Sequence, residues 1–471
     1  MMTLFEAARI LGGQASSDVR FASVGTDSRN VSAGELFVAL RGERFDGHEF
    51  VQAAGAAGAA AALVDRQWVD ARQDRSLPVL VVDDTRAALG QLAANWRARL
   101  DIALIGVTGS NGKTTVKEMC RAIMNAQMRL AGHADDAVLA TEGNLNNDIG
   151  LPLTLLRLRA RHRVAVVEMG MNHPGEIAAL TQLAHPTVAI VTNAQRAHLL
   201  GLGSVTKVAE EKGAIYAGLG DTGVAVINAD DVHAAYWTGL NGARRIVTFG
   251  MLNPADVRGA CSVHGLHTSL TLTTPEGVAS IALQVPGQHN ARNAVGAAAA
   301  CIAAGASLRA VSEGLAGFRG ARGRLQAGPG LKGAIVIDDS YNANPDSVRA
   351  AIDVLAATPG YKILVLGDMG EIGDTSAQVH DEIGGYAKSM GIDGLYGFGD
   401  MSMVAVRNFG DGGRHYKALD ALVDALTREL DENTVVLVKG SRFMRMERVA
   451  AALTAPNGNN AADPLGGSDA A

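Results

Sequence analysis

The sequence predicts an α/β protein of three domains. A central parallel sheet carrying a P-loop is flanked by a small N-terminal α/β domain and a C-terminal Rossmann-like α/β domain. Three observations predict this. The chain has 471 residues, more than one ordinary core accommodates, since domains usually run to about 100–200 residues. Short apolar runs alternate with amphipathic stretches in two separate series, and such βα repeats build parallel sheets covered by helices. Many of the 56 glycines directly follow the predicted strands, where backbone approaches ligands in sheets of this kind.

In chain order, residues 37–40 read as a buried strand followed by the polar loop 41–48, and a strand over 79–82 closes the first domain, 1–83. Asp84 N-caps the next helix, to about Leu100, by accepting free backbone N–H groups. The central domain, 84–317, then alternates: strand 102–107, a glycine loop, helix 114–130, strand 164–168, a helix from Pro174, strand 188–192, helix 205–217 and strand 224–228. The C-terminal domain, 318–454, repeats the scheme, with strands 334–338, 362–367 and 435–439 leading into helices 347–357, 377–390 and 444–453. The alanine-rich runs 53–64 and 294–306 read as buried helices, both too short to span a bilayer. Residues 455–471 lack periodicity and are expected to be disordered.

Composition narrows the function classes. Net charge is −6, which argues against a dominant nucleic-acid surface while leaving room for local phosphate sites. The three cysteines, Cys120, Cys261 and Cys301, form no CxxC pair, so neither a zinc site nor a disulfide framework is expected. Residues 1–13 carry Glu6 and Arg9 and no signal-peptide core. The expectation is a cytoplasmic protein without stable membrane insertion.

The strongest local signal is Gly106-Val107-Thr108-Gly109-Ser110-Asn111-Gly112-Lys113-Thr114-Thr115, between an apolar strand and a helix. Glycines let backbone N–H groups turn toward phosphate oxygens, and the helix N-terminus adds a favourable dipole. Lys113 is placed to span the outer phosphates and Thr114 to offer its hydroxyl to Mg²⁺. The usual spacing wants glycine where Val107 stands, leaving the shorter form Gly109-x-x-Gly112-Lys113-Thr114. A phosphate loop alone does not say what happens to the phosphate.

Other residues gather at strand ends. Glu168 ends strand 164–168, where a carboxylate can hold magnesium beside phosphates. His198 stands six residues beyond the next strand; a lone loop histidine is more often a surface residue, and its closeness to the Glu168 edge favours the metal. Lys212 follows Glu210 and Glu211, which by itself reads as a solvated charge run. His289-Asn290 opens an alanine-rich helix, and Arg322 and Arg324 lie in a glycine-flanked turn. Asp338-Asp339 ends a strand before Ser340-Tyr341-Asn342-Ala343-Asn344-Pro345, and the last strand ends in Lys439-Gly440-Ser441-Arg442. These clusters suggest a second face closing over the P-loop.

Almost the whole chain resembles the Mur ligase family, whose short P-loop matches Gly109–Thr114. Four strings carry the resemblance further: Asp27-Ser28-Arg29 with residues 36–40 and Asp46-Gly47-His48; Gly143-Asn144-Leu145-Asn146-Asn147-Asp148-Ile149-Gly150; residues 338–345; and Leu366-Gly367-Asp368-Met369-Gly370-Glu371. Together they are similar to the member that joins D-alanyl-D-alanine to a UDP-N-acetylmuramoyl-tripeptide. The resemblance implies that Ser28, Arg29, Asp46, Gly47 and His48 lie near the UDP moiety. It implies ATP and two magnesium ions held by Gly109, Ser110, Asn111, Gly112, Lys113, Thr114, Thr115, Glu168 and His198, with Asn290 and Arg324 contacting adenine and phosphate. Asn144, Asn146 and Asn147 would line the muramoyl-peptide site, and Asp339, Asn342, Asn344 and Lys439 would serve nucleotide and dipeptide. Lys212 aligns with a lysine that some members carry as a carbamate, an anion able to ligate the second magnesium.

The implied chemistry is demanding. A carboxylate must attack the γ-phosphate of ATP to give an acyl phosphate, and unit charges about 4 Å apart repel by roughly 4 kcal/mol at an effective dielectric near 20. Lys113 and the magnesium ions would offset this repulsion. Water would destroy the acyl phosphate, so closure of the C-terminal domain before chemistry is expected. The expected state is a monomer. Two alternatives stay open: a sibling reaction that adds one amino acid to a UDP-muramoyl peptide or glutamate to a folate, and a P-loop switch without ligation. The third residue of the tripeptide is left open.

Overall fold

Four sheets organise residues 1–43, 45–70 and 77–454, the part of the chain described by the computed structural model. The expected disorder of 455–471 lies outside the described residues. The first, five-stranded sheet has the order Gln14–Ala15, Val79–Val82, Ala61–Asp65, Glu35–Val38, Ser23–Gly25, parallel except for its first pair. A two-stranded sheet, Met2–Thr3 with Arg20–Phe21, lies beside it.

The run 53–64 departs from the single buried helix expected of it. A short helix, Val51–Ala56, breaks before Gly58 (φ 108°), and Ala61–Asp65 is a fully buried strand. Hydrophobicity does not separate a buried strand from a buried helix, and here the glycine decides.

The nine-stranded central sheet explains where the site lies. From one edge its order is Val138–Ala140, Val164–Glu168, Ala103–Thr108, Val188–Val191, Val224–Asn228, Arg245–Gly250, Val257–His264, His267–Thr274 and Gly277–Leu283. The first seven strands are parallel, and the last two are joined on by antiparallel pairings. The parallel strands around the P-loop are buried on both faces, whereas His267–Thr274 alternates exposed and buried residues, as a sheet wetted on one side should. The chain leaves Ala103–Thr108 toward one edge and later returns to its other side at Val188–Val191. That reversal opens a crevice at the strands' carboxyl ends, between Thr108, Glu168 and Thr192.

The helices Lys113–Leu130, Gln288–Ala303 and Leu308–Gly317 cover one face of this sheet. The P-loop helix Lys113–Leu130 and the helix Gln288–Ala303 share a core of Val116, Met119, Cys120, Ala294, Ala297 and Cys301, where small side chains permit close approach. On the other face, the helix Thr85–Ala98, N-capped by Asp84 through the N–H groups of Arg86 and Ala87, packs into a core continuous with the N-terminal sheet. The expected helix 205–217 is a helix, Val205–Gly213, and a 3-10 turn, Ala214–Gly218.

The third large sheet has the order Gln326–Pro329, Ile335–Asp339, Thr434–Lys439, Tyr361–Gly367, Gly394–Phe398, Gly413–Tyr416, parallel except for its first pair. Helices Pro345–Ala356 and Ser376–Ser389 cover one face and Leu419–Glu429 and Glu447–Leu453 the other. Asn344 begins the first of these helices with a capping box, followed by proline at its first turn.

Candidate active site

The P-loop backbone requires its glycines. Gly109 has φ 145°, and a Cβ there would stand 1.9 Å from Thr192 Oγ1; Gly112 has φ 81°, and a Cβ would stand 2.3 Å from Asn293 Oδ1. Lys113 donates through Nζ to the carbonyls of Gly109 (2.8 Å) and Ser110 (3.2 Å). Burial lowers its pKa, while the nearby Glu168 charge pulls the other way. Ser110, Asn111, Gly112, Lys113 and Thr114 line a cleft of about 1590 Å³.

The other central-sheet residues meet them there. Glu168 is buried at its strand end, accepts 2.8 Å from Asn146 Nδ2 through Oε1, and leaves Oε2 without a partner. Asn144, Asn146 and Asn147 line the same cleft, the last turned inward to accept the Gly150 N–H at 2.8 Å. His198 also lines it, in left-handed backbone (φ 56°), with Nδ1 2.8 Å from Oε2 of Glu371. That contact holds the Glu371 pKa below the usual carboxylate range, against the burial that would raise it.

Lys212 corrects the expectation of a solvated charge run. Its side chain is fully buried and Nζ has no hydrogen-bond partner. Burial, reinforced by the Lys113 charge, drives its pKa well below that of a free lysine. Glu211 beside it is also occupied, accepting from the N–H groups of Gly175 and Ile177.

The opposite wall comes from the C-terminal sheet. Arg324 lies 4.1 Å over the Tyr341 ring, its Nη2 3.5 Å from Thr114 Oγ1. Asn342 and Asn344 line the cleft, and Asn344 exchanges amide hydrogen bonds with Asn111 (2.7 and 3.3 Å). Arg196 of the central sheet reaches across to Asp346.

Several expected residues stand elsewhere. Lys439 is buried behind this wall, donating to Asp339 Oδ2 (2.6 Å) and to the Asn342 carbonyl (2.9 Å), so the pair shapes the Tyr341–Asn344 turn rather than facing the cleft. Asn290 is buried, donating to the Pro286 carbonyl and accepting from Asn293. Thr115 is buried in the P-loop helix. In the N-terminal sheet, His48 is 2% exposed and held on three sides: Nδ1 to Asp46, Nε2 accepting from the Asp65 N–H, and its carbonyl accepting from Trp68. Gly47 passes so close to Leu40 that a Cβ would meet its backbone at 2.7 Å. His48 and Gly47 therefore shape their loop. Asp46 also pairs with Arg41, and Ser28 and Arg29 lie in a turn where Arg29 forks onto Asp27.

Comparison with known proteins accounts for this assembly. Residues 20–97 match the Mur ligase family catalytic domain, 107–301 the Mur ligase middle domain, and 323–442 the Mur ligase glutamate ligase domain. The chain belongs to the Mur ligase family. Among Mur ligases, it is 42% identical to the UDP-N-acetylmuramoyl-tripeptide–D-alanyl-D-alanine ligase of Escherichia coli K12, over 96% of this chain and 98% of that one. It is 36% identical to the ligase of that name in Bacillus subtilis 168, covering 90% and 92%. The crystal structure of MurF from Acinetobacter baumannii superposes with TM-score 0.86 at 34% identity, covering 96% and 98%. That of the Thermotoga maritima MurF ligase in complex with ADP does so with 0.77 at 25%, covering 91% and 96%.

Mur ligases are ATP-dependent, and a magnesium ion in this cleft would need donors. Among the described residues no three His, Cys, Asp or Glu side chains form a metal cluster. The unpartnered Oε2 of Glu168 and the Thr114 hydroxyl nevertheless suit Mg²⁺, which takes one or two protein oxygens and completes its shell with phosphate and water.

Sequence reasoning missed Asn293, Tyr341, Glu371, Arg196 and Asp346. Asn293 stands three residues after Asn290 on one helix face, a signal that was available. The charged pairs were hidden because each joins two parts of the chain far apart in sequence.

Proposed function

We propose that this Mur ligase adds D-alanyl-D-alanine to UDP-N-acetylmuramoyl-tripeptide, releasing ADP and phosphate. The observation that carries the reading is the single cleft lined by Lys113 and Glu168 on one wall and Arg324 with Asn342–Asn344 on the other. The near full-length similarity to ligases of that name supports it. Residues 1–83 would hold the UDP moiety, 84–317 the nucleotide and 318–454 the dipeptide.

The tripeptide carboxylate attacks the γ-phosphorus, ADP leaves, and the dipeptide's neutral amine then attacks the acyl carbon and expels phosphate. Lys113 offsets the approach of two anions, and Arg324, held flat by Tyr341, extends that positive field toward Thr114. Magnesium, when bound, supplies further charge neutralisation at the phosphates. Glu168 and Thr114 would hold one ion; a carbamate on Lys212 would serve a second. The physical precondition for carbamylation is a neutral amine, and burial of Lys212 favours one. His198 would then turn from Glu371 toward the phosphate end. With Lys439 committed to Asp339, the dipeptide carboxylate is assigned to Arg442, which faces the cleft.

Among the described residues no helix is long and apolar enough to cross a membrane. A cytoplasmic monomer without a nucleic-acid partner completes the proposal. The test is ADP release with each substrate omitted in turn. Release that needs ATP, the UDP-tripeptide and D-alanyl-D-alanine together, with a product of the joined mass, is expected. Release at the same rate without the dipeptide, or with a single amino acid in its place, would overturn the reading.

A further inference from the structure

The loop 193–198 lies between the two walls of the cleft, and its backbone is tied down one residue at a time. The Asn193 carbonyl accepts from the Ser110 N–H (2.9 Å), and its side chain bridges the Asn111 N–H and carbonyl. The Ala194 N–H donates to Asp231 (2.9 Å) and the Gln195 N–H to Ser110 Oγ (2.9 Å). All of these partners belong to the central sheet or its P-loop. The next N–H, that of Arg196, instead donates to Oδ2 of Asp346 at 2.9 Å, in the first turn of a helix on the C-terminal sheet. The Arg196 guanidinium grips the same carboxylate through Nε (3.1 Å) and Nη2 (2.8 Å), with Glu382 at 3.6 Å. His198 follows two residues later, in left-handed backbone that costs energy unless its flanks hold it.

We infer that Arg196 is a positioning residue: its clasp on Asp346 makes the setting of His198 conditional on docking of the C-terminal unit. This rests on the proposed ligase reading, in which His198 serves the phosphate end. The clasp suits a contact that forms and breaks. A backbone N–H and a guanidinium converging on one carboxylate make it directional. Both side chains keep partial access to water, 34% and 23% exposed, so opening strands no buried charge. The reciprocal Asn111–Asn344 amides, beside it on the P-loop, dock the same helix start. One C-terminal segment, 344–346, thus touches both the phosphate loop and the loop carrying His198.

The test compares the full-length wild type with Asp346→Ala, Asp346→Asn and Arg196→Ala. Turnover is followed alongside compaction by a nonhydrolysable ATP analogue with UDP-tripeptide, measured by small-angle scattering. Asp346→Ala removes both contacts and is expected to lower kcat about 10²-fold, the scale of a misplaced reacting group, with nucleotide KM changed only a few-fold and compaction reduced. Asp346→Asn keeps an acceptor for the backbone N–H, and Arg196→Ala keeps that N–H itself, so both should fall between wild type and Asp346→Ala. Two outcomes overturn the inference. One is Asp346→Ala compacting and turning over like wild type; the other is both single-contact variants matching wild type while Asp346→Ala alone fails, the pattern of mere helix support. Because compaction is read without turnover, an Asp346-dependent compaction in a wild type that makes no product would sink the ligase reading and leave the clasp standing.

Discussion

Lys439 ends the last strand of the C-terminal sheet, and Lys212 sits in the helix Val205–Gly213 of the central one. Both amines are out of water, in residues no more than 2% exposed. Lys439 has Asp339 at 2.6 Å and the Asn342 carbonyl at 2.9 Å, and Lys212 has no hydrogen-bond partner. An isolated buried charge is costly, so a site that keeps one either loses the proton or acquires a partner after folding. The paired lysine is a piece of scaffold that holds the Tyr341–Asn344 turn against the cleft. The unpaired one suits the carbamate proposed for it.

The largest expected effect breaks the paired side. Asp339→Ala leaves Lys439 buried and uncompensated, which should cost about 3–5 kcal/mol of stability, read as a lower denaturant midpoint at unchanged m-value. The double variant Asp339→Leu with Lys439→Met should recover most of that loss. A midpoint unchanged in Asp339→Ala, with raised KM for dipeptide, would return Lys439 to the substrate-contacting role its strand-end position suggests.

The unpaired side predicts the reverse sign. Removing an uncompensated buried amine by Lys212→Met should leave stability unchanged or raise it by about 1–4 kcal/mol, while activity falls. Wild-type enzyme purified with added bicarbonate should gain about 43–44 Da by native mass spectrometry at this residue if the carbamate forms, carbamylation replacing one N–H hydrogen by CO₂. Lys212→Met with full activity would remove Lys212 from the site and leave its burial without a function.

These two lysines also mark what could be read from residues alone. The P-loop context, the strand ends at Glu168 and Asp339, and the Asp84 cap were legible because each is a local pattern: an apolar run, then a residue type with one job. Glu210-Glu211-Lys212 looked solvated because burial is set by what packs on a helix, here the Gly175–Ala184 segment that Glu211 caps. The burial of His48 was hidden for the same reason, since its three partners, Asp46, Asp65 and Trp68, are spread over 23 positions, 46 to 68. The antiparallel strands Val257–His264, His267–Thr274 and Gly277–Leu283 did carry a local signal, the alternation of exposed and buried residues. They fall outside the βα repeat that marks the rest of the sheet.

The smallest expected effect tests whether the paired lysine still projects charge. His289 has its pKa pushed down to about 4, first by burial and next by Lys439 and Arg292. A histidine held neutral in the folded state and free to protonate near pH 6.5 when unfolded contributes stability above that pH, and the contribution shrinks as pH falls toward 4. The sign follows because the unfolded chain binds the extra proton throughout that window. The loss should be on the order of 1–3 kcal/mol, at about 1.4 kcal/mol for each unit of difference. His289→Gln should flatten this part of the stability–pH curve. In the Asp339→Leu, Lys439→Met background the histidine should titrate higher, because a cation is gone from its surroundings. If its titration stays where it was, Asp339 already neutralises Lys439 at that distance, and the two buried lysines differ even more than their hydrogen bonds indicate.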